Sequence, residues 1–354
     1  MATVSAPVPI DELIEESGAD LTSQRLRVKL RRELGSLILD LLEDDRTEDV
    51  MLNPDGKVWV KRNPEGFVHV GELSPIRARA AMGTVASQMG VEFNANHPIL
   101  ETSVKALGNA RLEGLLPPLV DEPCFVLRRP NTGGQTLEDL EEQGVLTYKE
   151  DPINQLREQD EFLQAARGKS HGEILRLAGH FQKNMLIVGP TGSGKTTLTN
   201  AVLKHIFTMS QRDRVLIIED TSELQCSVPN HVKLLTTLRI SMTDLLAVCM
   251  RMVPKRIFVG EVRGKDAQAV LDAWNTGHPG GIATIHANDA KDALTRFETL
   301  LRQSTNAPLQ REIASAIHLI VFIAPEKRVP AGRKVKEVCA VLGYDGEGYQ
   351  LEYL

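Results

Sequence analysis

The chain has 354 residues, 42% hydrophobic and 25% charged, the balance of an ordinary soluble globular protein with length for two domains. A formal net charge of -6 excludes a global basic field for gathering nucleic acid and leaves only local patches such as residues 25–32. The four cysteines, Cys124, Cys226, Cys249 and Cys339, include no C-x-x-C pair, so neither a zinc site nor a disulfide framework is suggested, which suits a reducing compartment.

No basic start followed by an apolar core marks a signal peptide, and apolar runs such as 317–324 are far too short to span a bilayer. The expectation is a cytoplasmic protein whose membrane attachment, if any, is peripheral. The first dozen residues carry no pattern and are expected to be loose. Residues 21–43 then read as one helix, with Leu26, Leu30, Leu34, Ile38 and Leu41 on one stripe and basic residues opposite. Residues 50–52 and 58–61, joined by Asn53-Pro54-Asp55-Gly56, read as a hairpin. A helix over 77–90 and a strand over 125–127 complete a small α/β domain, residues 1–130. Arg129-Pro130-Asn131-Thr132-Gly133-Gly134 breaks both helix and strand and opens a linker, 131–150.

From 151 to 354 helices alternate with short, wholly apolar runs at 185–188, 215–218, 257–259 and 282–285. Such runs suit central strands of a mostly parallel sheet with helices on both faces, where ligands gather at the carboxyl ends of the strands. Residues 317–324, 337–342 and 349–353 read as an antiparallel addition.

The first of these strands leads into GPTGSGKTTLTN. Gly189, Gly194, Lys195 and Thr196 meet the pattern G-x-x-x-x-G-K-[ST] in full, and Pro190, Thr191, Gly192, Ser193 and Thr197 complete the loop. Glycines turn the backbone so that successive N–H groups face one anion, and the helix that follows adds its positive end. Lys195 then reaches the β/γ-phosphates of ATP, and the Thr196 hydroxyl ligates Mg²⁺. A plain strand–turn–helix connection is the competing reading, but the apolar strand before the loop and the amphipathic run 198–207 after it favour a phosphate cradle.

Three more strand ends carry reactive groups. Glu219-Asp220 follows 215–218, Glu261 and then Arg263 follow 257–259, and His286 follows a glycine-rich turn that holds His278. Singly, each is most simply a solvated strand end or a turn residue. Converging on one loop, Glu219 and Glu261 supply what hydrolysis needs, a metal anchor and a base that orients water.

The segments GPTGSGKTT, LIIEDTSEL, RIFVGEVRG and TGHPGGIATIHAND, in this order, resemble the secretion ATPase superfamily, whose members drive type II secretion, type IV pili and type IV secretion. In the first domain, NHPILETS, GNARLEGLLPPLV and FVLRRP look like the TrbB-like ATPases of conjugative type IV secretion. The resemblance implies a RecA-like ATPase domain behind a smaller N-terminal domain, assembled as a homo-hexamer and working with inner-membrane components of a secretion channel. It places Glu219 in an acidic box, Glu261 in an atypical second nucleotide motif, and His278 and His286 in a histidine box. It also implies that Arg111 and Arg128 contact the terminal phosphate. Arg129 is the alternative to Arg128, since strand alternation sends neighbours to opposite faces. The type II branch carries a tetracysteine metal module that is lacking here. Two mechanisms stay open, a ring motor for a secretion channel and a translocase that grips DNA directly. The negative charge and an aromatic content of only 4% favour the motor.

Overall fold

The computed structural model describes residues 18–130, 136–146 and 155–354, so the expected loose N-terminus and part of the expected linker, including Gly133-Gly134, lie outside the described residues. The chain divides into two compact units, Met1–Pro117 with Glu122–Thr132, and Pro118–Asp121 with Gly133–Leu354. Pro118–Asp121 joins the second unit, where the Leu119 carbonyl accepts from Leu235 N at 2.8 Å.

The first unit runs α1 (Gly18–Leu34), α2 (Ser36–Glu43), β1 (Thr47–Leu52), β2 (Lys57–Arg62), β3 (Gly66–Glu72), α3 (Pro75–Met89), β4 (Ile99–Val104), β5 (Ala110–Leu115) and β6 (Cys124–Arg128). The single helix expected over 21–43 is two helices. Gly35, at φ 85°, interrupts the stripe, and Arg77 caps the end of α1 by donating to the carbonyls of Glu33 and Arg32 at 2.9 and 3.0 Å. The apolar stripe survives because Leu30, Leu34, Ile38 and Leu41 all enter one core with Val50, Val58, Phe125 and Leu127. The strands form an antiparallel sheet in the order β3-β2-β1-β6-β5-β4. The expected hairpin is β1–β2, its turn closed by Gly56 N donating to Asn53 O at 3.0 Å.

The second unit continues with α4 (Leu137–Glu142), α5 (Gln155–Ala166), α6 (His171–His180), β7 (Met185–Val188), α7 (Lys195–Met209), β8 (Val215–Glu219), β9 (His231–Leu235) and α8 (Met242–Cys249). It ends with β10 (Arg256–Val259), α9 (Asp266–Asn275), β11 (Ile282–Ile285), α10 (Ala290–Leu301), α11 (Gln310–Ala316), β12 (Leu319–Pro325), β13 (Arg333–Tyr344) and β14 (Tyr349–Tyr353). Its sheet has the order β14-β13-β12-β7-β11-β10-β8-β9. The strands from β12 to β9 are parallel, and every residue of β7, β10 and β11 is buried, as strands covered on both faces require. Met185, Ile187, Val215 and Phe258 pack on one face against Phe162 of α5, Ile174 of α6 and Leu203 and Phe207 of α7.

The expected antiparallel addition is seen in the pairing of β12 with β13 and of β13 with β14. β12 pairs in parallel with β7, Phe322 opposite Val188, because α10 and α11 return the chain to the end of the sheet where β7 starts. There the N–H groups of His318 and Leu319 both donate to Asn184 O at 3.1 Å. Among the described residues no helix is long and apolar enough to cross a membrane.

Candidate functional site

The loop between β7 and α7 is built by close approach. A Cβ on Gly189 would lie 2.2 Å from the Ile323 carbonyl oxygen and 2.7 Å from Ser193 Oγ, so only glycine lets the chain leave β7 here. At Gly194, φ 93°, the loop turns into α7, and no side chain caps that helix. Its first N–H groups, which have no acceptor within the helix, are left for an anion. Thr191 to Thr197 line one wall of a cavity of about 450 Å³, while Gly189 and Pro190 lie behind it and present their carbonyls.

Lys195 Nζ donates to Gly189 O at 2.9 Å and Pro190 O at 3.2 Å, and lies 3.2 Å from His286 Nδ1. Burial pushes the Lys195 pKa down, opposed by the negative charge of Glu261. A charged Lys195 can only donate, so Nδ1 accepts and the His286 proton sits on Nε2, which faces Glu261 Oε1 at 3.0 Å. Glu261 Oε2 accepts from Arg263 Nη2 at 2.6 Å. Burial alone would raise the Glu261 pKa, but the Arg263 hydrogen bond and the positive charges around it hold the carboxyl below its usual range. Arg263 also donates through Nη1 to Asp220 Oδ2 at 3.2 Å, and so ties two strand ends together.

Glu219, only 2% exposed at the end of β8, does something different. Its Oε1 accepts from the N–H groups of Glu223 and Leu224 at 2.9 and 2.8 Å, while Oε2 is buried without a hydrogen bond. Burial raises its pKa, and the two backbone donors pull it back. The bend it holds delivers Glu223, whose Oε2 accepts from the Thr196 hydroxyl at 2.9 Å. Glu223 was not singled out in the sequence. Its signal was a further carboxylate four residues after Glu219, which becomes a partner of Thr196 only through this bend. Among the described residues no cluster of three or more His, Cys, Asp or Glu side chains is arranged to hold a metal ion. The donors on offer are a hydroxyl and separate carboxylates, which fit an ion that keeps its waters and leans on a phosphate.

The cavity therefore gathers the loop with Glu219, Glu261 and His286. His278 is not part of its lining: it sits half-buried in the turn after α9, its pKa lowered by burial, with Nδ1 lacking a hydrogen bond. Arg111 and Arg128 belong to the first unit, where β5 and β6 set them directly opposite each other. Arg128 Nε donates to Asp49 Oδ1 at 2.8 Å, and this hydrogen bond raises the Arg128 pKa despite burial. Arg129 turns the other way, toward Asp45 and the Asp44 carbonyl.

Residues 163–329 match the family described as "Type II/IV secretion system protein". A probable conjugal transfer protein TrbB of Sinorhizobium fredii is 38% identical over 328 residues, covering 93% of each chain. A type IV secretion system protein VirB11 of Bartonella henselae is 30% identical over 327 residues, covering 85% of this chain and 90% of that one. Among solved structures, the VirB11 ATPase of the Brucella suis type IV secretion system, in complex with sulphate, superposes with a TM-score of 0.80 over 90% of this chain and 96% of that one. At 23% identity it is a likeness of fold.

Proposed function

The chain belongs to the type II/IV secretion ATPase family, with TrbB and VirB11 proteins as its relatives, and from that premise we propose that it is a homo-hexameric, Mg²⁺-dependent ATP hydrolase powering conjugative type IV secretion. It would work at the cytoplasmic face of the inner membrane, peripherally attached through channel components. The observation that carries the reading is the convergence on one cavity of an uncapped helix start, Lys195, Thr196, Glu219, Glu261 and His286.

Each group has a part that follows from its present contacts. Lys195 gives up two carbonyls for the β/γ-phosphates, a stronger partner for a cation. Thr196, whose hydroxyl now donates to Glu223, would hold the metal. When bound, Mg²⁺ neutralises charge building on the phosphates. Glu261, kept ionised between Arg263 and His286, orients the attacking water and accepts its proton. Glu219 positions the loop that carries Glu223, and with it the metal ligands.

Phosphate release by the purified chain, with and without single-stranded DNA, tests this. Turnover present without DNA and lost in Lys195→Ala supports the motor. Unchanged hydrolysis in Lys195→Ala overturns the cradle, and turnover that requires DNA favours a translocase acting on DNA itself.

A further inference from the structure

The strand that closes the far side of the phosphate loop brings an arginine to it. Arg333 opens β13, lines the cavity, and makes no ion pair or hydrogen bond through its side chain among the described residues. Its position follows from the ladder. Arg333 pairs with Pro325 at the end of β12, and β12 runs beside β7, which feeds the loop. Alternation puts Arg333 on the same face of β13 as Val335, and Val335 packs against the core that α7 helps to build. A Cβ on Gly194 would lie 2.6 Å from Arg333 Cδ and 2.7 Å from Nη1, so the side chain rests on the residue from which α7 starts. The other cations of this hairpin are engaged elsewhere or exposed: Lys336 pairs with Glu326, and Lys334 points to solvent.

An unpaired guanidinium held against an uncapped helix start is a second cation in an anion site. We propose that Arg333 is a nucleotide-binding residue that contacts the α- and β-phosphates. The assignment rests on the nucleotide reading of the cavity. The backbone of such a loop cradles the α/β-phosphates while its lysine reaches onward to the β/γ-phosphates. Lys195 extends toward His286, whereas Arg333 lies against Gly194, at the backbone cradle. Those two phosphates are common to ADP and ATP. Arg333 therefore acts mainly on affinity for both nucleotides.

The test is calorimetric titration of the full chain, wild type and Arg333→Met, with ADP and with a non-hydrolysable ATP analogue, beside steady-state hydrolysis. Methionine keeps an apolar stem against Gly194. Loss of charge-assisted hydrogen bonds should weaken both nucleotides by roughly 10- to 100-fold and raise KM similarly. The value of kcat should stay within about twofold, and Arg333→Lys should recover part of the affinity while melting like wild type without nucleotide. Wild-type ADP affinity in both variants overturns the assignment, as does a loss confined to the ATP analogue or a fall in kcat at constant KM. If the wild type binds neither nucleotide, the cavity's reading falls and the role of Arg333 with it. Tight wild-type binding with an indifferent Arg333 removes the arginine alone.

Discussion

Glu261→Gln is the sharpest test of how the proposed site would hydrolyse ATP. The substitution keeps shape and removes charge, but it meets a directional network. Glu261 now accepts at both oxygens, from Arg263 at 2.6 Å and from His286 at 3.0 Å. Glutamine has one acceptor and one donor. Arg263 cannot accept, so the amide oxygen stays with it and the amide NH₂ turns toward His286 Nε2. His286 can answer only by moving its proton to Nδ1, which lies 3.2 Å from Lys195 Nζ, another donor. The variant thus loses its base and sets two donors against each other beside the phosphate site. Removing a positioned base costs about 10²–10⁴ in turnover, or about 2.7–5.4 kcal/mol of transition-state stabilisation. Affinity for ADP should hold, because the loop that carries the phosphates is untouched.

The measurement is kcat from phosphate release together with ADP affinity by calorimetry, with Glu219→Gln as the comparison. In Glu219→Gln the amide oxygen can still accept from Glu223 N and Leu224 N, so the bend survives and the loss should be smaller and sensitive to Mg²⁺ concentration. Near-normal turnover in Glu261→Gln with a dead Glu219→Gln would show that the two carboxylates have exchanged roles.

Arg128→Ala leaves Asp49, only 1% exposed, without its guanidinium donor; with the Arg128 side chain 52% exposed, the cost should be about 1–2 kcal/mol, read as a lower Tm and largely restored by adding Asp49→Asn. In the same variant a sharp fall in ATPase activity that Asp49→Asn does not repair would separate a role of Arg128 at the phosphate from its role in folding. His318, held by burial at a pKa of about 4 against an ordinary 6.5, accepts at Nδ1 from Asn184 N at 2.9 Å and must lose that bond to take a proton. Its folded pKa is depressed, so its contribution is fully present above pH 6.5 and is lost as pH falls toward 4. At pH 5 the loss is about 2 kcal/mol, visible as a lower urea midpoint. His318→Asn, which keeps an acceptor without the titration, should flatten that dependence between pH 7 and 5.

What could be read from the residues tracks how local each feature is. β7 and β11 have the bounds expected because strands buried on both faces are continuous apolar runs, and the flanking polar residues end them. The loop was legible for a related reason: its function lies in backbone geometry that glycine spacing encodes directly. Gly35 hid inside a sound helical stripe because periodicity reports which face is buried and is blind to a single break that keeps the face. The direction of β12 was hidden because an apolar run has no polarity; two helices upstream decide it. β9 was missed because it is an edge strand whose burial alternates, His231–Leu235, with a lysine at its centre.

The same distinction separates the site residues that could be seen from those that could not. Lys195 and Thr196 announce themselves by position in a motif. Glu223 and Arg333 were not singled out in the sequence, and reach the cavity only through a bend held by Glu219 and a ladder that runs from β7 through β12 to β13. This has a consequence for the proposed chemistry. Lys195 rests on two carbonyls and Thr196 on Glu223, so the two most recognisable groups are occupied by the protein's own acceptors. Binding must exchange those contacts, and the exchanges differ in kind. Phosphate would replace a dipole with a full charge at Lys195, whose pKa burial has already depressed, so the lysine would gain most from the swap. At Thr196 the hydroxyl now given to Glu223 would hold the cation, and Glu223, an attractive metal partner itself, would stand beside it. The proposed cradle would thus discriminate for an anion that arrives with its cation: phosphate alone would satisfy Lys195 and leave Thr196 with Glu223, whereas the paired ligand would satisfy both.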